Sequence, residues 1–155
     1  MRSNDFLKQI FPKRVWNIPT QNKEMFLTFD DGPIPEVTPW VLETLRKHKA
    51  KATFFCIGDN IKKYPELFKQ IITEGHAIGN HTFHHINGWK TSTQDYLEDI
   101  KLCKFEIESN AVASNLFRPP YGKCTSAQAK AISKNNLHII MWDIISKDYD
   151  QYISK

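Results

Sequence analysis

The sequence predicts an α/β protein with a mainly parallel sheet, and three observations lead to that class. Continuous apolar runs of strand length alternate with segments whose apolar residues recur at helical spacing. The runs lack the alternation of polar and apolar residues, as is typical of parallel strands that helices cover on both faces. Polar and ionisable residues follow directly after most of the runs, where α/β folds gather their functional groups.

The runs predict five strands, and turn-forming residues bound most of them. Pro33 and Pro35 follow the first run, Gly58 ends the second, and Arg118 with two prolines cuts the fourth. The third run leads into a group of histidines, and the fifth is the longest. The predicted strands cover residues 25–29, 52–57, 76–79, 116–117 and 137–145.

Helical spacing between these runs predicts four helices with recognisable ends. Ser92 with Asp95 and Thr125 with Gln128 match the capping-box pattern at helix starts, and Gly75 is placed to end a helix. The apolar positions are Val37, Val41, Leu42 and Leu45 in the first helix, Leu67, Phe68, Ile71 and Ile72 in the second, and Tyr96, Leu97, Ile100, Cys103 and Ile107 in the third, while the fourth helix covers residues 126–135.

The composition is that of an ordinary globular domain. The chain has 155 residues, 41% of them hydrophobic and 25% charged. No run approaches the ~20 apolar residues of a membrane span, and no secretory signal core is evident, so we expect a cytoplasmic location by default, with export left open. The net charge of +4 comes without a basic stripe, which predicts no nucleic-acid partner. Three cysteines without C-x-x-C spacing predict no disulfide framework, and the oligomeric state stays open.

Three short motifs carry the chemistry, and each follows a predicted strand. T-F-D-D-G-P occupies residues 28–33, H-T-F-H-H residues 81–85 and R-P-P-Y residues 118–121. One carboxylate with two imidazoles provides three ligands and leaves positions open, as in catalytic rather than structural zinc sites. His81 and His85, four residues apart, would face the same way on a helical turn.

The two adjacent carboxylates of Asp30 and Asp31 can serve one site only if the backbone turns between them. Neighbouring residues in an ideal strand point to opposite faces, so the backbone must turn there, and Gly32 with Pro33 favours such a turn. Two adjacent carboxylates also resist joint ionisation. A metal on one of them would relieve that conflict and leave the other free as an acid or base.

In this order and context, the three motifs resemble those of the polysaccharide deacetylase family, the NodB-homology domain of carbohydrate esterase family four. The resemblance spans about residues 24–150. It implies a distorted (β/α) barrel, here an incomplete one, because five strands are too few to close a barrel. It also implies removal of N-acetyl groups from an N-acetylglucosamine-containing polysaccharide such as peptidoglycan or a chitin-like polymer. We expect an N-terminal extension over residues 1–23 and a catalytic domain over residues 24–155.

The resemblance further implies a role for each site residue. Asp31, His81 and His85 would bind a divalent metal, with Zn²⁺ expected and Co²⁺, Mn²⁺ or Ni²⁺ able to use the same nitrogen–oxygen site. Asp30 would be the general base, with Arg118 as its hydrogen-bonding partner and Asp148 as support for Arg118. The Tyr121 main-chain N–H would donate to the oxyanion. Tyr149, at a position where the family often has Trp, would form a wall of the acetyl pocket.

The family's final motif, Leu-x-His, has no counterpart in this sequence. Its histidine is the general acid that protonates the departing amine, and loss of such an acid costs ~10²–10⁴ in rate. We therefore expect a C-terminally truncated deacetylase domain. The alternative is a metal- and sugar-binding fragment with little or no turnover because this histidine is absent. A third hypothesis, an amidase for a small non-sugar amide, fits the forms of the motifs less well.

Overall fold

The computed structural model describes residues 5–110 and 113–148 as one sheet of six strands covered by helices. The strands are β1 (Arg14–Val15), β2 (Leu27–Asp30), β3 (Ala52–Cys56), β4 (Ala77–Asn80), β5 (Leu116–Phe117) and β6 (His138–Ile140). The helices are α1 (Asp5–Ile10), α2 (Thr38–Lys47), α3 (Gly58–Lys63), α4 (Pro65–Thr73), α5 (Thr93–Ser109) and α6 (Ser126–Lys134), with short 3₁₀ turns at Gly88–Lys90 and Pro120–Gly122.

All neighbouring strands run parallel, in the order β1-β6-β5-β4-β3-β2. The carboxyl ends of the strands therefore meet at one edge, where Asp30 pairs with Phe55 and Asn80 pairs with Phe117. The sheet is curled into a half-barrel. Arg118, just past β5, demonstrates the curl, because its side chain hydrogen-bonds both Thr28 in β2 and the main chain of Ile140 in β6. The predicted parallel α/β class is confirmed.

Two details of the predicted sheet are wrong. There are six strands, because the two-residue β1 pairs with β6 and is too short to leave an apolar pattern. The strand predicted over residues 137–145 is regular only over His138–Ile140. Beyond Ile140 the regular strand ends, and Trp142, Ile144 and Ile145 line a cleft, which accounts for their apolar character without a continuous strand.

The core consists of two buried clusters that share helix α5. One cluster packs α2, α3 and α4 against β3 and β4, and α5 contributes Cys103 and Ile107 to it. The other packs α6 against β5 and β6, and α5 contributes Tyr96 and Ile100. Because α5 lies in both clusters, any loop that contacts this helix is tied to the rigid part of the molecule.

Several predicted helix ends are confirmed by hydrogen bonds. Thr125 and Gln128 form the complete capping box, and the Ser92 side chain accepts from the Asp95 N–H. Gly75 follows α4 in the left-handed conformation, with φ of 75°. Across residues 5–110 and 113–148, no helix has the length and apolar character needed to cross a membrane.

Candidate active site

A cleft of about 800 Å³ lies at the carboxyl edge of the sheet. All three motifs reach it: Asp30 ends β2 and Asp31 follows it, His81 and His85 follow β4, and Arg118 and Tyr121 follow β5. The segment after β6 closes one side with apolar side chains. The cleft lining thus includes seven of the eight residues singled out in the sequence, and the eighth, Tyr149, is not among the described residues.

The backbone turns at Asp31 itself, which has φ of 66°. This left-handed conformation is uncommon for residues other than glycine but is tolerated by aspartate. The Asn60 side chain donates to the Asp31 carbonyl at 2.7 Å, and the Ile57 N–H donates to the next carbonyl, of Gly32, at 3.0 Å. The turn lets both Asp30 and Asp31 face the cleft, although the two residues are adjacent.

The ligand atoms of Asp31, His81 and His85 all lie within 4.8 Å of one another. Asp31 Oδ1 is 3.1 Å from His85 Nε2 and 3.4 Å from His81 Nε2. The segment 81–85 is a loop, not the helical turn expected from the spacing, since Thr82 and His85 have φ of 64° and 54°. The two imidazoles nevertheless converge, with ring centroids 5.1 Å apart.

The hydrogen bonding of this cluster fits a bound cation. His81 Nδ1 lies 2.7 Å from the Arg118 carbonyl oxygen, which can only accept, so Nδ1 carries the proton. In a neutral imidazole, His81 Nε2 then presents a lone pair to the Asp31 carboxylate. Asp31 Oδ1 is buried and has no hydrogen-bond donor among the described residues. A cation between these acceptors would satisfy them, as in carboxylate and histidine sites oriented by an outer carbonyl.

Charge also favours the ionised carboxylate at this position. The neighbouring imidazoles of His81 and then His85, whose Nε2 atoms lie 3.4 and 3.1 Å from Asp31 Oδ1, lower the pKa of the Asp31 carboxyl well below its usual value, against the opposing effect of burial. Asp31 is therefore ionised at neutral pH and available as a ligand.

Asp30 is held by a separate contact to a buried guanidinium. Arg118 is 3% exposed, and its Nη1 donates to Asp30 Oδ1 at 2.7 Å and to Thr28 Oγ1 at 2.8 Å. The other edge of the guanidinium donates to the carbonyls of Ile140 and Met141. Burial lowers the pKa of Arg118, and the Asp30 charge opposes that change. These contacts orient Asp30 while leaving its side chain 33% exposed to the cleft.

Tyr121 combines an exposed ring with an unused main-chain donor. Tyr121 has φ of 58° and is 60% exposed, and its ring centroid lies 4.7 Å from that of His85. The hydrogen bonds of the described residues include none from the Tyr121 N–H. This amide is free to bind a ligand oxygen beside His85.

Asp148 is the predicted residue that the structure does not bring to its expected partner. It lines the cleft and is exposed, and it accepts a hydrogen bond from Ser146 Oγ at 2.9 Å. The hydrogen bonds that Arg118 makes within the described residues go instead to Thr28, Asp30, Ile140 and Met141. Tyr149 lies outside the described residues.

Three residues of the site were missed in the sequence. Thr28 contacts Arg118, Asn60 holds the Asp31 carbonyl, and Asp99 contacts the loop of residues 81–85. A signal existed for Asp99, because it is an acid in the apolar stripe of α5, three residues after Tyr96 and four before Cys103. Asn60 follows a predicted strand end, but nothing local distinguishes it from an ordinary turn residue.

Comparison with known proteins agrees with this geometry. The family model described as polysaccharide deacetylase matches residues 17–140. A peptidoglycan-N-acetylglucosamine deacetylase from Bacillus cereus is 40% identical over 134 residues, which cover 84% of this chain and 48% of that protein. A chitooligosaccharide deacetylase from Azorhizobium caulinodans is 38% identical over 135 residues, which cover 84% of this chain and 64% of that protein.

A solved structure gives the same result for the fold. Bacillus subtilis PdaA, a family 4 carbohydrate esterase, superposes with a TM-score of 0.83 at 28% identity, covering 96% of this chain and 65% of that chain. The present chain therefore spans between about half and two thirds of the length of these three relatives.

Proposed function

The chain belongs to the polysaccharide deacetylase family, and on that premise we propose that it is a metal-dependent hydrolase that removes N-acetyl groups from an N-acetylglucosamine-containing polysaccharide. The observation that carries the proposal is the convergence of Asp31, His81 and His85 on one point, beside the Asp30–Arg118 pair. Peptidoglycan and chitin-like polymers are the candidate substrates, because the relatives named above are deacetylases of peptidoglycan and of chitooligosaccharides.

Asp31, His81 and His85 are the residues that would hold the metal, with Zn²⁺ first and Co²⁺, Mn²⁺ or Ni²⁺ as alternatives. A bound divalent metal supplies Lewis acidity and lowers the pKa of water to about 7. The chain's own contribution is to fix the three ligands before the metal arrives. The Arg118 carbonyl sets the tautomer of His81, and Asn60 holds the turn at Asp31.

Asp30 is the general base in this proposal. One of its oxygens is bound to Arg118, so the carboxylate is oriented, and its exposed part faces the cleft, where it can accept the proton of the attacking water. Asp31 cannot share this role while its charge is committed to the metal. The different roles of the two carboxylates follow from their different neighbours.

The Tyr121 N–H is the chain's donor to the oxyanion of the tetrahedral intermediate. It is unused within the described residues and belongs to a residue whose ring packs beside His85. Removal of one such donor in other hydrolases costs ~10²–10³ in rate. Asp148 and Tyr149 remain proposed contributors to the acetyl pocket, Asp148 from the rim of the cleft.

The alternative function, a metal- and sugar-binding fragment with little turnover, is favoured by one feature of the cleft. Among the described residues that line it, the imidazoles are His81 and His85, both assigned to the metal. Within the described part of the chain, no further histidine lines the cleft to protonate the departing amine. Acetate release distinguishes the two functions, because the fragment would bind metal and sugar without turnover.

The test is acetate release from N-acetylglucosamine oligomers and from peptidoglycan by the purified protein with added Zn²⁺ or Co²⁺. We expect release that D30N abolishes. E98Q is the matched control, because Glu98 is an exposed acid on α5 that contacts Lys101, away from the cleft. Release that D30N leaves unchanged would contradict the mechanism, and metal binding without acetate release would favour the alternative.

A further inference from the structure

We infer that Asp99 is a positioning residue for the histidine loop, defined as residues 81–85. The inference rests on the proposed function, because the loop matters to catalysis through the two metal ligands at its ends. Asp99 lies on α5, is 6% exposed and is 14 residues further along the chain than His85. It is neither a residue that lines the cleft nor one of the three candidate ligands, so it would act through the loop.

The carboxylate of Asp99 accepts three hydrogen bonds from the middle of the histidine loop. Oδ2 accepts from the Phe83 N–H at 2.8 Å and from the His84 N–H at 3.0 Å. Oδ1 faces His84 Nδ1 at 2.5 Å, so the ring donates to the carboxylate. His84, which is no ligand of the cluster, therefore points away from the metal site and ties the loop to α5.

The histidine loop needs such support because of its backbone conformation. Thr82 and His85 both have positive φ, which non-glycine residues adopt only where the surroundings hold them. His85 is itself one of these residues. Its imidazole can meet His81 and Asp31 only while this conformation is kept.

The other backbone groups of the loop are already held by different partners. The Gly58 and Asp59 N–H groups donate to the carbonyls of Thr82 and Phe83, each at 3.0 Å. Asn80 Oδ1 accepts from the Thr82 N–H at 2.9 Å. Of the described residues, Asp99 alone accepts hydrogen bonds from the Phe83 and His84 N–H groups, so truncation of its side chain would leave both without this acceptor.

Close packing leaves the loop no room to settle elsewhere. A Cβ at Gly58 would lie 2.5 Å from the Phe83 ring, so the start of α3 packs directly against the loop on one side. Asp99 fixes the other side. Loss of outer hydrogen-bonding partners of this kind typically weakens metal affinity by 10–100-fold.

The experiment compares the dissociation constant of Zn²⁺ in the wild-type protein, D99A, D99N, H84A and the control E98A. It is measured by competition with a chromophoric chelator, alongside the thermal midpoint of each metal-free protein. Glu98 is the neighbouring acid on the same helix but is exposed and pairs with Lys101, so E98A matches the loss of charge without touching the loop.

We expect D99A to bind Zn²⁺ about 10–100-fold more weakly than the wild type. D99N should show a smaller loss, because its amide oxygen can still accept the two N–H bonds, although charge-assisted bonds are about twice as strong. H84A keeps the two main-chain bonds and should also lose less than D99A. E98A should match the wild type. Excess Zn²⁺ should restore acetate release to D99A but not to D30N.

Wild-type Zn²⁺ affinity in a folded D99A would overturn the role of Asp99 and leave the proposed function intact. If D99A does not fold, the Zn²⁺ affinities of D99N and H84A provide the test. Wild-type affinity in both variants would equally overturn the role of Asp99. Failure of the wild-type protein to bind Zn²⁺ would instead overturn the proposed function, and the role of Asp99 with it.

Discussion

Adjacent residues in this site are assigned different roles because they have different partners. Asp30 and Asp31 are neighbours in sequence, yet Asp30 contacts the buried guanidinium of Arg118 and Asp31 faces two imidazoles. The left-handed backbone at Asp31 is what separates them. Electrostatic repulsion between the two adjacent carboxylates would thus be offset by the Arg118 guanidinium beside Asp30 and by a metal bound at the proposed site beside Asp31.

Substitution of Arg118 is predicted to destabilise the fold. R118M would remove a buried cation and leave Asp30 and the carbonyls of Ile140 and Met141 without their donors. Breaking a buried pair on one side costs about 3–5 kcal/mol of stability. We expect a loss of that size in the free energy of unfolding, measured by urea titration of the metal-free protein.

The control for this prediction is R46M. Arg46 pairs with Glu74 on the surface, where its side chain is 59% exposed, so the expected loss is under about 1 kcal/mol. Equal losses of unfolding free energy in R118M and R46M would show that Arg118 stabilises the fold no more than a surface ion pair does.

The sequence indicated which residue types would meet at the site but not the contacts that place them. The three motifs could be found because each is contiguous. Asp99 and Asn60 could not be assigned to their partners, because these lie 15 or more residues away in the chain. The acid in the apolar stripe of α5 marks Asp99 as unusual but does not indicate what it contacts. The positive φ of Asp31, Thr82 and His85 was equally hidden, since none of these residues is a glycine.

At the scale of the element, local signals were sufficient where an element was long and capped. Helices α5 and α6 carry capping residues and apolar stripes, and both formed as predicted. The two-residue β1 and the six-residue α3 leave no pattern of their own, and packing against the rest of the fold determines them. The strand was predicted too long because the apolar side chains of Trp142, Ile144 and Ile145, which line a cleft, resemble those of a buried strand.

The prediction at this scale concerns the cap of α6. T125A would remove the side-chain oxygen that accepts from the Gln128 N–H, at 3.2 Å, and would dismantle the capping box. Because α6 packs into a core cluster, the cost of about 0.5–2 kcal/mol should appear in global unfolding by urea.

S133A is the control on the same helix. Its hydroxyl bonds back to the Ala129 carbonyl and caps nothing, so the change should stay within about 0.5 kcal/mol. A loss in S133A as large as in T125A would mean that the cap itself does not stabilise α6.

At the scale of the whole molecule, the proposed cation site joins separate parts of the sheet. Asp31 follows β2, while His81 and His85 follow β4, and β3 lies between these strands. Arg118 adds a second connection, from β5 to both β2 and the end of β6. The site therefore forms only when the half-barrel is folded, and a metal bound there must stabilise the fold.

We accordingly predict that removing the metal lowers the thermal midpoint of unfolding. A ligand present at 100 times its dissociation constant stabilises the native state by about 2.7 kcal/mol. Differential scanning calorimetry with Zn²⁺, and then with excess chelator, should show this difference for the wild type and for E98Q. D31N should show little or none of it, and a wild-type shift in D31N would place the stabilising metal elsewhere.

The most direct test of the account is a crystal structure of the protein grown with Zn²⁺ and measured at the zinc absorption edge. We predict one strong anomalous peak in the cleft, with an Asp31 carboxylate oxygen and the Nε2 atoms of His81 and His85 at about 2.0–2.2 Å from the ion. Zinc bound away from these three side chains, or no anomalous density between them, would contradict it.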